Sequence, residues 1–107
     1  MSMLPYLFHQ QMLPAAEQIV AMTGSQVLIG TLDHVPVKLI LHNQSTSSTI
    51  LYISLDGGGS KIQWKTFVAG EAMILDDDLY TFNKGAKFYG NGAATGSFSV
   101  SYTYINL

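Results

Sequence analysis

The sequence predicts an all-β domain, an antiparallel β-sandwich of about seven to nine short strands with jelly-roll-like topology. Three observations carry this. The C-terminal stretch alternates strictly, with Phe98, Val100, Tyr102 and Tyr104 on one face and Ser97, Ser99, Ser101 and Thr103 on the other, which is the period of a half-buried strand. Other apolar runs of strand length recur along the chain, separated by Gly, Asn and Ser turn signals. No stretch of helical length shows a 3.6-residue apolar period.

Residues 1–14 form an apolar arm bracketed by Pro5 and Pro14, carrying Leu4, Tyr6, Leu7 and Phe8. The two prolines discourage one continuous helix. Such a segment either packs on its own domain or reaches onto a neighbour. The sandwich domain is expected over 15–107. Ala15 to Met22 fits a short helix or a first strand, and Ile19-Val20 favours the strand. After the turn Thr23-Gly24-Ser25, Gln26 to Leu32 is a strand-length apolar run, interrupted by Asp33-His34.

Val35, Val37, Leu39 and Leu41 alternate with Pro36, Lys38, Ile40 and His42, predicting a strand with the first set inward. Pro36 lacks a ladder donor and belongs at the strand start or on an edge. The polar loop Asn43 to Ser48 leads to a strand over Thr49–Asp56, with Leu51, Ile53 and Leu55 on one face and Tyr52 on the other. The short loop between these two strands reads as the turn of an antiparallel hairpin.

Asp56-Gly57-Gly58-Gly59-Ser60 is a glycine turn. Lys61 to Phe67 is a strand bearing Trp64, and Val68 to Glu71 turns the chain. Ala72 to Leu75 is a short strand closed by Asp76-Asp77-Asp78. Leu79 to Phe82 continues it, Asn83-Lys84-Gly85 turns, and Lys87 to Gly90 is a further strand. The glycine-bearing linker Asn91 to Gly96 leads into the terminal strand.

Composition bounds the function. Charged residues are 11% of the 107-residue chain, against about 25% in ordinary soluble domains. Arginine is absent and the formal net charge is −2. This balance argues against nucleic acid, which needs a basic stripe, and against attraction to an anionic membrane. No run reaches the length of a transmembrane helix, and the N-terminus lacks the basic and long apolar regions of a signal peptide. With 48% hydrophobic residues and no charged side chain from Phe88 to Leu107, the chain reads as one that associates, since interface cores are depleted in charge.

No motif carries chemistry. With no cysteine, thiolate zinc sites and disulfides are excluded. His9, His34 and His42 form no metal-ligand spacing. Asp76-Asp77-Asp78 does not match a calcium loop, and adjacent strand residues point to opposite faces, so a solvated, pairing-blocking turn is the simpler reading. Gly57-Gly58-Gly59-Ser60-Lys61 lacks phosphate-loop spacing. No serine has a neighbouring base. The expectation is a protein that is not an enzyme, with no cofactor and no metal site. Trp64, with Tyr52 and the C-terminal tyrosines, suits stacking on a sugar ring, although large aromatics more often fill a core or an interface.

The order of strands and turns resembles the small virion β-sandwich proteins of tailed bacteriophages. It is carried by Ile19-Val20 before Thr23-Gly24-Ser25 and Val27-Leu28-Ile29, and by Leu39-Ile40-Leu41-His42-Asn43 before a Ser/Thr loop and Leu51-Tyr52-Ile53. Ala69-Gly70-Glu71 before Met73-Ile74-Leu75-Asp76, Lys84-Gly85, and the strand Phe98 to Tyr104 complete it. The resemblance covers residues 17–106 and does not predict the arm. It implies a capsid decoration (cement) protein that binds the major capsid protein and stabilises the head shell. Such a protein is made in the host cytoplasm, sits on the capsid exterior and is homo-oligomeric, trimer before dimer. The other role among such proteins is a tail-associated receptor- or carbohydrate-binding module using Trp64 and Tyr52. For decoration, the expected partner surfaces are the arm residues Leu4, Tyr6, Leu7 and Phe8 and the hydroxylic face Ser99, Ser101 and Thr103.

Overall fold

The computed structural model describes residues 12–76 and 82–105. They form nine antiparallel strands in two sheets: β1 Met12–Pro14, β2 Gln18–Ala21, β3 Gln26–Thr31, β4 Lys38–Asn43, β5 Thr49–Ser54, β6 Ile62–Phe67, β7 Ala72–Leu75, β8 Lys87–Gly92 and β9 Ser97–Ile105. Sheet A has the order β1-β9-β4-β7, with β2 also paired to β9. Sheet B has the order β3-β8-β5-β6.

The pairings β5–β6, β4–β7, β3–β8 and β2–β9 are those of one long hairpin with its apex at the β5–β6 turn. Wrapping that hairpin on itself adds β5–β8 and β4–β9 and divides it into two four-stranded sheets, the jelly-roll arrangement. β1 extends sheet A beyond it, pairing with the C-terminal half of β9 while β2 pairs with the N-terminal half. Residues 12–14, assigned from sequence to the arm, thus belong to the ladder.

Wrapping corrects the expected β4–β5 hairpin. β4 lies in sheet A and β5 in sheet B, and residues 44–48 cross between sheets as an arch. A single buried polar side chain braces the crossing. Asn43 Nδ2 donates to the carbonyls of Ser47, Phe67 and Val68 at 2.9, 3.1 and 3.0 Å. Its Oδ1 accepts from the Ser45 amide and hydroxyl at 3.1 and 2.7 Å. The amide thereby ties the arch to the end of β6 in the opposite sheet.

The strand beginning at Lys38 is shorter than its sequence pattern. Val35 is exposed and Pro36 buried, the reverse of the expected alternation, because residues 33–37 form a crossover between sheets rather than a ladder. Leu55 likewise lies past the end of β5 and is exposed. The turn after it uses Gly57 at φ +78°, where a Cβ would also strike the carbonyl of Gly85.

The core lies between the sheets. Leu39, Leu41, Phe98, Val100 and Tyr102 of sheet A meet Ile29, Leu51, Ile53, Phe67 and Phe88 of sheet B. Phe67 and Phe98 meet edge-to-face, centroids 5.1 Å apart at 87°, a favoured aromatic geometry. Each such side chain contributes about 1.5–3 kcal/mol on burial. The edge of sheet B at β3 is capped by Gln18 of sheet A. Its side-chain amide accepts from Thr31 N–H at 2.7 Å and donates to Thr31 C=O at 2.9 Å. Gly30 leaves room for it, since a Cβ there would lie 2.8 Å from Gln18 Oε1.

Candidate functional site

Two outer faces remain once the core is closed. On sheet A, register and alternation point one set of residues outward in rows: Pro14–Thr103–Lys38, Ser101–Ile40–Ile74 and Ile19–Ser99–His42–Ala72. Met12 and Ile105 pair at one end. Lys38 carries the only formal charge among these outward strand positions. Met12, Ile19, Ile74 and Ile105 are 40 to 58% exposed.

The hydroxyl stripe of β9 is central to this face, but it is not a raised surface. The short side chains of Ser99, Ser101 and Thr103 lie below longer neighbours on the flanking strands. Ser99 is only 3% exposed, and its Oγ accepts from Gln44 Nε2 at 3.2 Å. The stripe is therefore the floor of a groove. At the β1 end the groove deepens into a cavity of about 230 Å³ lined by Pro14, Ala15, Lys38, Ile40, Ser101 and Thr103. Thr103 Oγ1 is buried there and is the one buried side-chain polar atom among the described residues without a hydrogen-bond partner.

The outer face of sheet B is different in kind. Leu28, Tyr89, Tyr52 and Gln63 share one outward row across four strands. Lys61 Nζ stands 4.2 Å from the Tyr89 ring centroid and donates to Gln26 Oε1 at 2.9 Å. Trp64 sits on edge strand β6 at the irregularity where register shifts opposite Leu51 and Tyr52. It is 38% exposed and so is not a core residue of this chain. Sequence reasoning missed Tyr89, whose proximity to Tyr52 depends on the β5–β8 pairing.

The titratable groups serve turns and crossovers. Asp56 accepts from Gly58 N–H at 2.8 Å, and that bond holds its carboxyl below the usual range. Glu71 accepts from Val68 N–H at 3.0 Å and pairs with Lys65 at 3.0 Å, which lowers its pKa in the same order of causes. Burial pushes the Tyr102 hydroxyl up, and its oxygen accepts from Asp33 N–H at 2.9 Å. His34 stacks on Tyr104, centroids 3.7 Å apart, so Tyr104 continues the aromatic series to the end of the sandwich without being fully buried.

His34 lies in a crossover and His42 on the outer face of sheet A. His9, Asp77 and Asp78 lie outside the described residues, as do Leu4, Tyr6, Leu7 and Phe8. Among the described residues no three His, Cys, Asp or Glu side chains are grouped as metal ligands, and no helix is long and apolar enough to cross a membrane. No protein-family model matches the sequence, and neither the curated proteins nor the solved structures yield a match.

Proposed function

We propose that this chain is a non-enzymatic structural subunit of a phage particle. In this reading it is a homo-oligomeric capsid decoration protein that binds the major capsid protein on the outside of the head. The phage setting rests on the sequence resemblance. The observation that supports association is the outer face of sheet A, with its exposed apolar rim, its hydroxyl floor and a single formal charge. A grooved face of this composition suits a repeated contact in which many copies each contribute little and avidity holds the layer. The copy number in purified virions tests the reading. A number on the scale of the capsid lattice is expected, a few copies per particle would transfer the chain to the tail, and absence from virions would overturn both assignments.

The second reading, a tail-associated carbohydrate-binding module, is favoured by one observation: Trp64 is exposed on the sheet that also presents Tyr52 and Tyr89. Aromatic faces ringed by Gln, Asn and Lys suit stacking on a pyranose ring. Here Trp64→Ala abolishes retention on host surface polysaccharide, while stability shifts by no more than about 1 kcal/mol, as for a partly exposed side chain. Undiminished polysaccharide binding by the variant would remove this reading. The jelly roll does not choose between the two, because one fold hosts many functions.

A further inference from the structure

We infer that the groove along β9 is the receptor for the N-terminal arm, residues 1–11, of a second copy of this chain, with Tyr6 seated in the cavity beside Thr103. The inference rests on reading this face as an interface, and it is independent of any capsid.

The dimensions agree. Residues 1–11, extended, reach about 36 Å. The groove floor, from Ser99 to Thr103 on β9, runs for about 13 Å, so the arm is long enough to cross to a neighbour and lie along it. The chemistry agrees as well. Met1 to Gln11 contains no Asp, Glu, Lys or Arg, and neither does the groove floor. Leu4, Tyr6, Leu7 and Phe8 would cover the exposed Ile19 and Ile74 and the half-buried Ile40 that flank it.

The cavity specifies more than apolar area. At about 230 Å³ it exceeds the roughly 150 Å³ that accepts a benzene ring, so one aromatic side chain fits. The lining also offers polar partners, the Lys38 ammonium and the Ser101 hydroxyl, to a hydroxyl on the occupant. Tyr6 is the one arm residue that carries both a ring and a hydroxyl.

The direction of the chain points to a second copy. β1 runs antiparallel to β9, and Met12 lies opposite Ile105. The chain direction at Met12 therefore points past the end of β9. Returning to the groove of the same copy requires a reversal within His9-Gln10-Gln11, which holds none of the Gly, Pro, Asn, Asp or Ser residues that tight turns use. Continuing outward, the arm meets a neighbour instead. Exchange of identical segments is an economical route to symmetric assembly.

A complementation experiment decides the matter. One variant lacks residues 1–11, keeping the groove and β1. The other is full-length Ser101→Trp, keeping the arm and filling the groove. Sedimentation should show an oligomer for the parent chain, a monomer for each variant, and a 1:1 complex when the two are mixed. Circular dichroism confirms that both fold, and Ser101→Arg replaces Ser101→Trp if that variant does not. A synthetic peptide of residues 1–11 should bind the truncated protein, about tenfold or more weakly with Tyr6→Ala, as for loss of one buried aromatic anchor. A monomeric parent chain would overturn the inference, placing the arm on its own domain. A truncated chain that stays oligomeric, or variants that fail to complement, would overturn it in favour of another contact. If shell-scale copy number holds while complementation fails, the decoration reading survives without arm exchange.

Discussion

Asn43→Asp is expected to bring the domain to the edge of unfolding. The amide of Asn43 points its two hydrogens at the carbonyls of Ser47, Phe67 and Val68, and the residue is fully buried. A carboxylate has the same shape and no donor, so three hydrogen bonds are lost and its oxygens face three carbonyl oxygens; Ser47 C=O keeps its bond from Ser45 Oγ and Val68 C=O its bond from Glu71 N–H, but the like-charged contact with all three remains. Each buried polar group stripped of its partner costs about 1–3 kcal/mol, and burial of a charge adds to that. A loss of about 4 kcal/mol or more follows, against the 5–15 kcal/mol typical of a domain. The melting temperature should fall by about 20 °C, measured by circular dichroism.

The loss should depend on pH with a definite sign. Burial among acceptors raises the folded pKa of the introduced carboxyl above its unfolded value. The folded state then binds more protons than the unfolded state, so stability falls as pH rises between those two values. Asn43→Asp should therefore be less destabilised near pH 4, about where an unfolded Asp titrates, than at pH 7. A pH-independent shift of only a few degrees would mean that the arch is held by other contacts.

Asn43 also shows where the sequence stops being legible. Period-two alternation says which residues share a face of a strand: Leu39 with Leu41, Leu51 with Ile53, and Phe98 with Val100 and Tyr102, and each of these sets is buried, whereas Leu55, past the end of its strand, is not. Alternation does not say which sheet a strand joins. A five-residue polar connection serves a hairpin or an arch equally well, and the arch is braced by the side chain of Asn43 together with carbonyls 24 and 25 residues away. β1 was hidden for a related reason: three residues ending in Pro14 carry no periodic signal, and only the pairing with β9 defines them.

The interaction faces divide in the same way. That β9 presents an uncharged hydroxyl stripe follows from sequence alone. That the stripe is a groove does not, because depth comes from Pro14, Ile19, Lys38 and Ile40 on neighbouring strands, and only the register brings them alongside Ser99, Ser101 and Thr103. Trp64 illustrates the limit of composition. The preference of aromatics for interiors is sound on average, but an edge strand with a register shift presents its extra residue outward.

Gly96→Ala is the second substitution with a large expected effect, and it acts on the same arch from the other side. Gly96 ends the β8–β9 connection, and its carbonyl accepts from Met22 N–H at 2.9 Å while Gln44 N–H donates to Ser97 C=O at 2.8 Å. A Cβ at Gly96 would lie 2.6 Å from Ser45 Cα and 3.0 Å from Gln44 O. These are backbone atoms of the arch, so no rotamer change relieves the clash. The two crossings must separate, at a cost of about 2–3 kcal/mol, or roughly 10–20 °C in melting temperature. Gly59→Ala is the control. Nothing lies within 4 Å of its added methyl, and its effect should stay within about 0.5 kcal/mol. Because Asn43 also holds Ser45, the Asn43→Asp and Gly96→Ala losses should sum to more than the double variant shows, as for residues that share a partner. Full additivity would mean that the arch can yield at Ser45 without disturbing Asn43, and the two crossings would then be independent supports of the sandwich.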